Sequence, residues 1–287
     1  MPGDGGRAAL VPPEVAKRIR LIASDLDRTL LTSAMTITRR ARAAIQAAID
    51  AGIVVVVATG RQVGSVPPEV YETRIDDILA SNGAYGYRRS TDETLFACPL
   101  DAGTQAVVAA YLSERAPGLA FSAARNSGRT FACEQGYLDL MDDEDRSYER
   151  REREVATLAQ VIAEPTLKLV ARHPTITPDE LLAMVEASQL AGFHATTSGA
   201  PFVELGAPGV TKATGLAQLA ALHGIDQRDV LALGDAKNDV EMLAWAGWGV
   251  AMRDADPEAL AVADAVTGTS DEDGFAQVIE ELLARRA

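Results

Sequence analysis

Asp25 and Asp27 stand one residue apart in the stretch LIASDLDRTLLTS, which begins at Leu21, straight after a short apolar run. Two carboxylates so close repel each other, and burying an uncompensated charge is costly. Such a pair is kept where a cation and an electrophile need negative charge. Three other stretches place polar residues after apolar runs in the same way: Thr59-Gly60-Arg61, Asn82-Gly83, and Gly234-Asp235 through Asn238-Asp239. Carboxylates from separate stretches meeting at one point are tolerable only around a hard divalent cation. Oxygen donors beside a phosphate-type substrate select Mg²⁺, which keeps several waters and uses few protein carboxylates. Taken singly, each stretch has a plainer reading. Aspartates also cap helices and turns, Thr59-Gly60-Arg61 reads as an ordinary strand-to-helix turn, and Arg61 serves equally as a structural ion pair or a substrate contact.

The elements that must position these residues fall into two textures. From Arg20 to Gly83, and again after residue 210, short apolar strands alternate with helical stretches: RLIASDL, IVVVVAT, DILASNG, DVLALGD and WGVAM against TRRARAAIQAAIDAG, TKATGLAQLAALHG and NDVEMLAWAG. IVVVV has no polar alternation, as expected of a parallel strand covered on both faces. This predicts a doubly wound, Rossmann-like parallel α/β sheet. Ligands of such sheets bind at the carboxyl ends of the strands, where strand order reverses, and that is where Asp25 and Asp235 fall. Between the two halves, GAYGYRRSTDETLFACPL predicts an antiparallel hairpin, and two clear helices and further strands follow, ending in FHATTS and PFVELG. The expected organisation is a loose tail over 1–17 that becomes ordered near Val15, a core of 18–83 and 208–287, and an inserted α+β module over 84–207. The crossings are turn-like, at Asn82-Gly83-Ala84 and Gly206-Ala207-Pro208-Gly209.

Read in order, DLDRTLL, TGR, NGA, the lysine of GVTK (Lys212) and LGDAKNDVEML resemble the motifs of the haloacid dehalogenase (HAD) superfamily. They are most similar to its Cof-like branch of small-molecule phosphatases with a large α/β cap. The resemblance covers nearly the whole chain from Arg20, with the cap between the second and third motifs. It implies a phosphohydrolase in which Asp25 is the nucleophile, forming an aspartyl-phosphate, and Asp27 the general acid/base. Mg²⁺ would be held by Asp25, the Asp27 backbone carbonyl and Asp235, with Asp239 close by. Thr59, Gly60, Lys212 and Asn238 would bind the phosphoryl group, with Arg61 a further candidate. The chain departs from the family pattern at Arg28, where glycine is common. An arginine there is strained if φ is positive. Otherwise it places a long cation beside the acid/base, reaching substrate or a cap carboxylate, and its plain reading is a solvent-facing side chain.

The implied substrates are small phosphorylated metabolites, with sugar phosphates favoured. A phosphomutase of the same superfamily and a non-catalytic phosphometabolite sensor are the alternative readings. The 27 basic and 41 acidic residues give a net charge of −14, which speaks against nucleic acid or anionic membrane as a partner. Cys98 and Cys133 match no metal spacing and fit reduced thiols of a cytoplasmic protein. The longest apolar run, GIVVVVATG, is too short to span a bilayer. His173, His194 and His223 match no ligand spacing, with His173 and His194 conceivable on the cap's substrate face. The charged run from Asp142, DDEDRSYERRERE, reads as a solvated helix or loop. Oligomeric state leaves no trace in the sequence.

Overall fold

The computed structural model describes residues 9–141 and 152–286. Two sheets organise them. The larger has eight strands in the order β14-β13-β12-β1-β2-β3-β4-β5. These are β1 (Leu21–Ser24), β2 (Val54–Ala58), β3 (Asp77–Ala80), β4 (Tyr85–Arg88), β5 (Glu93–Ala97), β12 (Val230–Gly234), β13 (Trp248–Ala251) and β14 (Ala265–Val266). The six strands from β14 to β3 are parallel. The chain winds outward from β1 through β2 and β3, then returns as β12 on the other flank of β1. That reversal makes the carboxyl ends of β1 and β12 the crevice of the sheet. The smaller sheet runs β10-β11-β9-β6-β7-β8, comprising β6 (Ala120–Arg125), β7 (Thr130–Cys133), β8 (Glu152–Val155), β9 (Leu169–Arg172), β10 (His194–Thr196) and β11 (Val203–Gly206). The observed class is the expected doubly wound α/β sheet with an inserted α+β module.

The inner strands β1, β2 and β12 of the large sheet are buried on both faces and almost wholly apolar, whereas its edge strand β5 is largely exposed. Ile22, Val55 and Val57 pack on one side, against the helices Arg39–Asp50 and Gly274–Arg286. Leu21, Ala23, Val56 and Ala58 pack on the other, against Lys212–Leu222 and Val240–Trp245. The smaller sheet forms a core with the helices Ala102–Arg115 and Pro178–Ala187 on one face, while the short helix Gln135–Asp139 covers part of the other. Phe121, Ala123, Leu169, Ala171, Val203 and Leu205 point into that core, while their alternate neighbours Ser122, Lys168, Val170, Phe202 and Glu204 look into a cleft between the modules.

Two boundaries differ from the sequence reading. The hairpin β4–β5 pairs with β3, in register from Asp77↔Arg88 to Ala80↔Tyr85, and so extends the large sheet. Asn82-Gly83-Ala84 is therefore a turn within that sheet, and the smaller sheet begins only after Leu100. A hairpin is legible locally, but which sheet edge it joins depends on distant residues. At the N-terminus order begins earlier than Val15. Leu10 and Val11 are buried in the core, and the Trp248 indole N–H donates to the Leu10 carbonyl at 2.8 Å. Residues 1–8 of the expected tail, and most of the charged run from Asp142, lie outside the described residues. Among those described, no helix is long and apolar enough to cross a membrane.

Candidate active site

Asp25 is the first residue beyond β1, and its N–H donates to Leu233 of β12 at 2.9 Å, which ties it to the neighbouring strand end. The chain then turns sharply. Asp27 is extended and Arg28 is left-handed, at φ 59° and ψ 6°. Asp235 follows β12, and its Oδ1 accepts from Thr29 Oγ1 at 2.8 Å, so the first motif orients the last. Asp239 closes the loop after Asp235: its Oδ2 accepts the N–H groups of Asp235 and Ala236, each at 3.0 Å. Lys212 opens the helix Lys212–Leu222, capped by the Thr211 hydroxyl. Its Nζ donates to Asp25 Oδ1 at 2.5 Å and to Asp239 Oδ1 at 2.6 Å, and its side chain is 1% exposed. Gly83 makes this approach possible. It has φ +95°, and a Cβ there would lie 2.1 Å from the Thr211 carbonyl oxygen.

Oxygens of Asp25, Asp235 and Asp239 come within 4.8 Å of one another, all three residues buried. One ammonium does not balance three carboxylates. Burial holds Asp25 well above the usual carboxylate range, with Lys212 opposing and Asp239, Asp235 and Asp27 adding to the rise. Burial and then Asp239 push Asp235 up to about 7. Burial pulls Lys212 down, but Asp239 and Asp25 outweigh it and raise it overall. The donor set fits a hard divalent cation. Asp239 has both oxygens committed to Lys212 and two amides, whereas Asp25 Oδ2 and Asp235 Oδ2 accept from no other described residue. Asp25 and Asp235 are thus the residues able to hold an ion, and Asp239 holds the holders.

The predicted residues border one cleft, of about 920 Å³, except Thr59, Lys212 and Asp239, which are buried behind it. Asp27 faces Arg61 in a two-pronged pair, Nε–Oδ2 at 2.8 Å and Nη2–Oδ1 at 2.7 Å, so Arg61 has a structural partner. The Thr59 hydroxyl oxygen accepts the Arg61 N–H at 3.0 Å, and the Gly60 N–H donates to no other described residue. Asn238 does not touch the acidic centre; its Nδ2 donates to Asn82 Oδ1 at 3.0 Å. Arg28 is a correction. It reaches Asp254 at 2.8 Å, a carboxylate that follows β13 in the large-sheet module, not the cap, and the two side chains are 63% and 40% exposed. His173 is not on the substrate face: its ring bonds Pro117, Thr175 and Ile176, and it does not line the cleft.

Lys168, Glu204 and Lys237 are further charged residues of the cleft wall, to which the motifs give no role. The first two are lone charges inside the apolar strands TLKLVAR and PFVELG, which is the signal that marks them. Lys237 bridges to Asp179 of the inserted module at 2.8 Å.

A family profile described as haloacid dehalogenase-like hydrolase matches residues 22–279. The 5-amino-6-(5-phospho-D-ribitylamino)uracil phosphatase YbjI of Escherichia coli is 31% identical over 283 residues, 94% of this chain and 98% of that protein. A phosphoglycolate phosphatase of Methanoculleus marisnigri is 27% identical over 263 residues, 92% of this chain and 96% of the other. Among solved structures, a phosphatase of the superfamily from Bacteroides thetaiotaomicron superposes with a TM-score of 0.79 at 25% identity, covering 96% of this chain and 99% of that one. Fold and site together are those of a capped phosphatase. The chain belongs to the haloacid dehalogenase-like hydrolase family, as its motifs imply.

Proposed function

We propose that the protein is a Mg²⁺-dependent phosphohydrolase that removes the phosphoryl group from small phosphorylated metabolites, with sugar phosphates the favoured class. The observation that carries this reading is the convergence of three buried carboxylates on one point with Lys212 between two of them. The two relatives above are named for different phosphate esters, so neither supplies a substrate for this chain. The cleft suits a small leaving group, since pockets of roughly 300–1,000 Å³ enclose metabolite-sized ligands.

Asp25 and Asp235 would hold Mg²⁺, which when bound screens the nucleophile from the phosphoryl oxygens and offsets their charge. Asp25 attacks phosphorus, and the ester oxygen departs with a proton from Asp27. Water then attacks the aspartyl-phosphate while Asp27 takes its proton, releasing inorganic phosphate and restoring Asp25. For either transfer the Asp27 carboxyl turns from Arg61 toward the reacting oxygen, which gives Arg61 the role of parking the acid/base between steps. Thr59, the Gly60 amide and Lys212 donate to the phosphoryl oxygens as charge spreads over them, and the inserted module keeps bulk water away.

A screen of phosphorylated metabolites for phosphate release, with Mg²⁺ and with a chelator, tests this. Release that needs Mg²⁺ and vanishes in Asp25→Asn supports it. Binding without turnover on every ester would favour a sensor, and isomerised ester with little free phosphate would favour a mutase.

A further inference from the structure

The cleft wall facing Asp25 carries a buried ion pair that the reaction above does not use. Lys168, just before β9, and Glu204, on β11, are 7% and 2% exposed and are bonded Nζ to Oε1. Removing two charges from water is costly, and apolar side chains of similar size would serve a core as well or better. What the pair does is reach out of its own module. Lys168 Nζ donates to the Gly60 carbonyl at 2.7 Å. Glu204 Oε2 accepts from Asn82 Nδ2 at 3.0 Å, and Asn82 in turn accepts from Asn238. One pair therefore touches Gly60 directly and Asn238 through a single intermediary.

The contact at Gly60 fixes a specific peptide. Glycine is the residue least able to hold its own backbone conformation, and the Gly60–Arg61 peptide is held from outside at both ends. Its carbonyl accepts from Lys168, and its N–H donates to Thr59 Oγ1. With Thr59 Oγ1 accepting there, the hydroxyl hydrogen remains to be donated elsewhere. A Cβ at position 60 would press on Asn82 Oδ1 at 2.9 Å and Asn238 Nδ2 at 3.3 Å, so the two amides would have to move. The turn is thus clamped between Lys168 on one side and the two asparagines on the other.

We infer that Lys168, with Glu204 as its counter-ion, is a positioning residue for the transferred phosphoryl group. It seats the Thr59–Gly60 turn and, through Glu204 and Asn82, Asn238, so the phosphoryl-binding groups are in register only while the inserted module is docked. This rests on the phosphohydrolase reading for its reaction, and on the contacts alone for its geometry. Because the effect passes through the phosphoryl side, it is independent of the leaving group, unlike that of a residue that reads the rest of the substrate.

The experiment is calorimetric titration of the full chain with inorganic phosphate in Mg²⁺, for wild type, Lys168→Met, Lys168→Arg and Glu204→Gln, followed by kinetics on p-nitrophenyl phosphate and on the best metabolite ester. Lys168→Met is expected to raise the phosphate Kd roughly tenfold, the scale of one charge-assisted hydrogen bond. KM should rise in parallel for both esters, and Lys168→Arg should recover part of the loss. Glu204→Gln should shift Kd in the same direction, and it carries the test with Lys168→Arg if Lys168→Met fails to fold. An unchanged phosphate Kd, a defect confined to one leaving group, or fewer active molecules with unaltered Kd and KM would each overturn the inference. Phosphate binding that depends on Lys168 in a protein that hydrolyses no ester would sink the proposed activity and leave the positioning role standing. A wild type that binds no phosphate would sink both.

Discussion

Replacing Lys212 by methionine tests the electrostatic balance of the site without touching a carboxylate. The side chain is 1% exposed, and its ammonium contacts both Asp25 and Asp239. Methionine keeps much of the volume and removes the charge, leaving three buried acids with no cation against them. Breaking a buried pair from one side costs about 3–5 kcal/mol, which for a protein of this size lowers Tm by roughly 5–8 °C. The structure further predicts a non-additive rescue. Asp25 Oδ1 has Lys212 as its donor, so Asp25→Asn in the Lys212→Met background removes the stranded charge and should recover about 1 kcal/mol or more. Melting followed by circular dichroism, on metal-free protein at neutral pH, reads both numbers. A loss under about 1 kcal/mol for Lys212→Met, or a further loss on adding Asp25→Asn, would show that the ammonium is not the counter-charge the geometry makes it.

Three other outcomes follow from the same contacts. Asp25→Asn alone should abolish phosphate release without lowering Tm, because Lys212 keeps Asp239 as its partner and the amide relieves the crowding of acids at this point; an active variant, by a malachite-green phosphate assay, would remove Asp25 from the nucleophile role. Arg28→Gly relieves a left-handed backbone that costs a side chain roughly 1–2 kcal/mol and loses an exposed ion pair that contributes about 0–1 kcal/mol. Stability should therefore stay within about 1 kcal/mol of wild type with kcat/KM little changed on every ester, and a substrate-selective loss would return Arg28 to the specificity set. Gly83→Ala drives a methyl group into the Thr211 carbonyl and should displace the helix start that carries Lys212, costing about 3 kcal/mol or more and much of the activity; a wild-type melting curve would contradict the close approach.

Much of this was legible because the inner strands of the large sheet are buried on both faces. Runs such as IVVVV have no surface to serve, so their composition reports their position, and polar residues at their ends mark the crevice. Asp25, Asp235 and Lys212 could be read from motif order, and their meeting from the winding of the strands. What escaped depends on partners far away in sequence. The hairpin after Gly83 announces its turn but not the edge it joins. Leu10 and Val11 lie among glycines and prolines that resemble a tail, yet they pack into the core. Arg28 finds Asp254, 226 residues away. Lys168 and Glu204 are single charges in apolar strands, and only the alternation of the small sheet, helices behind and cleft in front, shows why they are there.

The Lys237–Asp179 bridge has a kinetic corollary. It joins the modules near bulk solvent, while Lys168 and Glu204 fasten them deep inside, so mobile ions in the medium can compete for the first and hardly for the second. Raising ionic strength should accordingly quicken the exchange of ester and product with the surroundings while leaving bond cleavage itself untouched, and a turnover number that climbs with added salt would betray traffic through the doorway as the slow event.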